Sequence, residues 1–109
     1  MSLNVSDLSQ DMLTAALGAA KGHAADLESY LKARAQLIAE GTVQLGEDRL
    51  AGVITDEDVE FAFQQIKESE ATSLLAVEVT VKAAAQDAIN AALAVAAAAI
   101  NKAIGFALL

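Results

Sequence analysis

Few side chains in this 109-residue sequence can carry chemistry. His23 is the sole histidine and Cys is absent. Imidazole changes charge near neutral pH, so His23 could act as a ligand or an acid–base group. Glu28, Glu78 or a second chain's histidine would have to support it. His23 stands on an apolar stripe between Ala19 and Leu27, where the ordinary role is a seam histidine with one satisfied hydrogen bond. Di-metal helical bundles place Glu three residues before His, but residue 20 is Ala. Without Cys, one chain cannot build a His/Cys zinc site. His23, Glu28 and Glu78 are therefore weak metal candidates only, and no cofactor is expected.

Asp56, Glu57, Asp58 and Glu60 form the one dense acidic cluster. Carboxylates so arranged can hold a hard cation. The cluster lacks the alternate-position oxygens and central Gly of a calcium loop, and it suits a helix N-terminus, where the helix dipole favours negative charge. Only His23 could activate a Ser or Thr, and there is no Gly-x-Ser-x-Gly turn. Tyr30, Phe61, Phe63 and Phe106 are too sparse for a base-stacking platform and read as core anchors. No catalytic residue is assigned, and the balance is against an enzyme.

Composition narrows the field further. The formal charge of −8 lacks the basic face that nucleic acid requires. Proline is absent, and Ala supplies close to a quarter of the chain. Both favour long helices, Ala because it loses no side-chain entropy on folding. Residues 1–20 carry no early positive charge, and Asp7 and Asp11 interrupt the apolar positions, so no signal peptide is read and a cytoplasmic protein is expected, export without a signal peptide being the alternative. The apolar run Ala91–Ile100 is about half the ~20 residues of a spanning helix. A membrane role is thus not favoured.

The elements that must position these residues come next. Between Arg49 and Val59 several stop and start rules coincide. Gly52 suits the left-handed residue that ends a helix, with Val53 expected to pack back on the last turn. Thr55 suits the next N-cap, bonding near Asp58, and Ile54 and Val59 have hydrophobic-staple spacing. Upstream, Leu8, Met12, Ala16, Ala19, His23, Leu27, Tyr30, Ile38 and Leu45 recur at helical steps, with Ser6 as N-cap. Gly18 and Gly22 suggest a close helix crossing. Gly41 and Gly46 leave three readings open for residues 41–54: helix, kink or small β-hairpin. Downstream, Val77 to Lys82 alternates like a strand, but its Ala-rich flanks favour helix.

The expected fold is all-α: a single domain, 1–109, in which helices of about 6–51 and 56–105 fold into a long antiparallel hairpin. Each arm would be roughly 70 Å long. Positions summing to about 107 would lie level, pairing Lys21 with Asp87, Asp26 with Lys82, Arg34 with Glu70 and Glu40 with Lys67. Leu74, Val81, Ala88 and Val95 line one stripe of the second helix; Ile89, Leu93, Ile100 and Ile104 line another. One seam cannot cover both. A homo-oligomer is therefore expected, most simply a dimer of hairpins forming a four-helix bundle. The leading function is a non-enzymatic, self-associating structural or interaction protein. The alternatives are membrane docking through the apolar C-terminal helix, and a metal carrier or bundle enzyme using His23.

Overall fold

The computed structural model describes residues 3–109. Those residues form four α-helices and no strand: α1 (Val5–Ala20), α2 (Ala24–Leu50), α3 (Asp56–Ser73) and α4 (Val79–Ile104). Single 3-10 turns, Lys21–His23 and Leu74–Ala76, join α1 to α2 and α3 towards α4. The all-helical reading holds. The two uninterrupted arms do not: each breaks once, and the molecule measures 44 × 23 × 20 Å.

Burial explains the first break. α1 carries Leu8, Met12, Ala16 and Ala20 on one face, and all four are buried. Folding α1 back sets this face against both α2 and α4. Each large apolar side chain so buried contributes about 1.5–3 kcal/mol, against a few kcal/mol for interrupting a helix. A straight arm would have left that face on one seam only. α1, α2 and α4 pack mutually, whereas α3 leans mainly on α2 and touches α4 lightly. Small residues (Ala35, Ala39, Ala85, Ala88, Ala92 and Ala96) lie at the centre, with Met12, Leu31, Ile38 and Ile100 filling the larger spaces.

The central corner forms as its residues dictate. Gly52 has φ +76°, and the Gly52 and Val53 amides donate to the Arg49 and Asp48 carbonyls, closing a Schellman motif. The Thr55 hydroxyl accepts from the Asp58 amide, while the Asp58 carboxylate accepts from the Thr55 amide. Val59 is fully buried and Ile54 packs partly against the core. Val53 departs from expectation: it projects into solvent. Residues 41–50 continue α2, which removes the kink and hairpin readings for that stretch.

Other expectations are corrected locally. α1 is capped by Asn4, whose side chain accepts from the Asp7 amide, in place of Ser6. Gly18 and Gly22 face open space, so they mark no crossing. Val77 and Glu78 are extended, so the strand-like stretch coincides with the second break. Of the four level charge pairs, Arg34–Glu70 forms. Among the described residues no ion pair joins the other three, two of which lie beside the breaks.

Candidate functional site

His23 lies in the turn between α1 and α2, not on a buried seam, and its side chain is 47% exposed. Its Nδ1 stands 3.6 Å from Asp26 Oδ2, an exposed approach longer than a hydrogen bond. Glu28 is exposed on α2, and Glu78 is exposed just before α4. Among the described residues no group of three or more His, Cys, Asp or Glu side chains is placed to hold a metal ion.

The acidic cluster is engaged locally. Asp56 accepts from Arg49 Nε at 2.5 Å across the corner. Asp58 closes the capping box, and hydrogen bonds from the Thr55 backbone and then its hydroxyl hold its carboxyl below the usual carboxylate range.

The densest polar constellation is one that periodicity alone does not mark. Glu70, only 2% exposed, faces Arg34 across the α2–α3 seam. Arg34 Nε donates to Glu70 Oε1 at 2.8 Å, and Nη2 donates to Oε2, giving a bidentate pair. The carboxylate raises the Arg34 pKa, chiefly through this hydrogen bond. One turn further, Ser73 Oγ donates to the Glu70 carbonyl at 2.7 Å and lies 2.7 Å from the Tyr30 hydroxyl. These groups fasten α3 to α2. Each of these polar groups already has a protein partner, so the arrangement clamps the two helices together.

The eight residues assigned to an association stripe divide. Leu74, Ala88, Ile89, Leu93 and Ile100 are buried within the single chain, while Val81, Val95 and Ile104 are half-buried against the core. The reason is α1, which occupies much of the space that a hairpin would have left to a second copy. Of the corner residues, Gly52, Thr55, Asp58, Ile54 and Val59 all serve the turn itself.

Cover on α4 is still incomplete. Val81, Val95 and Ile104 are half-buried against the core, and the exposed positions of α4 are Val79, Thr80, Ala83, Gln86, Asp87, Asn90, Ala94, Ala98 and Lys102. A shallow groove of about 320 Å³ runs between α3 and α4, with Leu74, Ile89 and Leu93 in its lining and Lys67, Gln86 and Asn90 at its polar edge. At one end of the molecule Leu75 and Val79 are 77% and 85% exposed, and on α3 Phe61 is 69% exposed. Comparison with protein-family models, with curated proteins and with solved structures found no match.

Proposed function

We propose that this protein is a non-enzymatic helical structural or interaction component that self-associates, a dimer being the simplest assembly. The observation that carries the reading is the incomplete cover of α4. It is a helix of 26 residues, long and apolar enough to span a bilayer; its large apolar side chains are buried or half-buried against its own chain except Val79, while Val79, Ala83, Ala94 and Ala98 stay open to solvent. A helix apolar on most sides is stable in water only if most sides are covered. Exposed Phe61, Leu75 and Val79 add to the surface that a second copy would shelter. In this reading, hairpin-on-hairpin pairing gives way to association of whole helical bundles. Light scattering and sedimentation across the micromolar range test it. A concentration-dependent dimer or larger species is expected; a monomer at every concentration would exclude it.

The same helix supports a second reading, docking on a membrane surface. The acidic charge of −8 weighs against anionic lipid and makes this the lesser reading. Flotation with neutral and anionic vesicles separates the two. Recovery of the protein with lipid favours the membrane; its absence from the lipid fraction leaves self-association.

A further inference from the structure

The turn between α1 and α2 contains a conformation its sequence does not suit. Lys21 has φ +52° and ψ −124°, the first central position of a type II′ turn, which glycine dominates. Gly22 stands next to it without taking the positive φ. A side chain there costs about as much as other strained backbone sites and persists only because surrounding packing enforces it. That packing is the buried face of α1 on α2 and α4. The segments on either side are helical, so rotating Lys21 from its positive φ into the helical region would make α1 and α2 one straight rod.

We infer that Lys21–His23 is a strained hinge through which two copies of this chain exchange α1. In the open chain, residues 5–50 form a single helix, and the face Leu8–Met12–Ala16–Ala20 leaves its own α2 and α4. The identical groove of a second copy receives it. α1 runs antiparallel to α2 within one chain: Gly46 is so close to Leu3 that a Cβ on it would meet the Leu3 side chain. Two straightened rods crossing antiparallel at their hinges therefore place each α1 beside the other chain's α2 in the native register. Every core contact of α1 is recovered, and two strained turns are released. Two closed chains and one exchanged dimer thus differ mainly by hinge strain and the entropy of association. This mode is independent of the surface pairing proposed above, because it leaves the outer face of α4 as it is.

Lys21 is exposed, so it can be changed without disturbing the core. Lys21→Gly relieves the closed turn and should lower the dimer association constant roughly tenfold or more, since both hinges count. Lys21→Ile places a β-branched side chain at positive φ and should raise it. The fold of the dimer is read by distance. The chain has no Cys, so Gln10→Cys/Gln36→Cys gives unique spin-label sites. Labelled chains diluted in unlabelled ones report one intrachain separation. It should be about 40 Å in the straight rod, from 26 residues at 1.5 Å each, and under about 20 Å when the helices lie side by side. A dimer with the short separation, or one indifferent to both Lys21 substitutions, overturns exchange while leaving surface association standing. No dimer at any concentration overturns both.

Discussion

Removing Arg34 should destabilise this protein far more than removing an exposed ion pair would, and replacing both partners should restore much of the loss. Glu70 is 2% exposed, and among the described residues Arg34 alone donates to its carboxylate. Arg34→Ala leaves a charge in the α2–α3 seam with neither water nor a donor, a change that costs about 3–5 kcal/mol at buried pairs. Side-chain exposure of 21% at Arg34 admits some water, which points to the lower end of that range. Glu70→Ala should cost less, about 1.5–3 kcal/mol, because the guanidinium can turn towards solvent along its own stem. Arg34→Met/Glu70→Leu replaces the pair with apolar volume and should lie within about 1 kcal/mol of the parent. Urea unfolding of the parent, both single variants, the double Ala variant and Met/Leu supplies the comparison, with unchanged slopes required for a two-state reading. The double-mutant cycle should give a coupling of about 2 kcal/mol or more. A stability of about 5–15 kcal/mol is usual for a domain, so Arg34→Ala would remove a sizeable part of it. If both single substitutions cost under about 1 kcal/mol and simply add, the pair behaves as an exposed one and the reasoning fails.

Three other substitutions test separate parts of the fold. Thr42 is fully buried and among the described residues its hydroxyl has no partner, so Thr42→Val should stabilise the protein by about 1 kcal/mol in the same unfolding assay; a loss of similar size would mean that the hydroxyl is satisfied in solution. Thr55→Ala removes the α3 cap and should cost about 1 kcal/mol. The Asp58 carboxyl is held below its ordinary value of 3.8, so its contribution is present above that pH and is lost as pH falls through the lower folded value. Thr55→Ala keeps the backbone amide at position 55, the larger cause, and loses only the hydroxyl, so its acid limb should shrink in part; an unchanged limb would sink the hydroxyl's share. The Asn101 side chain accepts from the Leu108 and Leu109 amides and donates to the Leu109 carbonyl, holding the chain after Gly105 against α4. Asn101→Ala should abolish hydrogen-exchange protection at the Leu108 and Leu109 amides while leaving the α4 interior protected; retained protection at both would show that packing alone holds the segment.

The features legible in the sequence are those decided by neighbours in the chain. Gly52, Thr55 and Asp58 meet their partners within a few residues, so stop and cap rules suffice to place the corner. Arg34–Glu70 was accessible through register, because the α2–α3 part of the hairpin is real. The Tyr30–Ser73 contact has no periodic signal, since Ser73 gains its place from the end of α3. The break at Lys21 runs against local preference, with the unfavourable φ at Lys and not at the neighbouring Gly. Only a non-local gain, burial of the α1 face on α4, can outweigh that preference, and single-chain periodicity does not register it. The second break left a trace in the alternation from Val77 to Lys82, which Ala-rich flanks outweighed. Both apolar stripes expected on the second helix are buried or half-buried within the single chain, so the expected surplus is largely covered by α1. A chain able to bend shelters the stripes itself, which is why Leu93 and Ile100 are core residues; Val79, outside both stripes, stands in solvent. Self-association must then rest on what remains uncovered, or on exchanging the cover between copies. The two differ in one measurable quantity, the distance from α1 to α2 within a single chain.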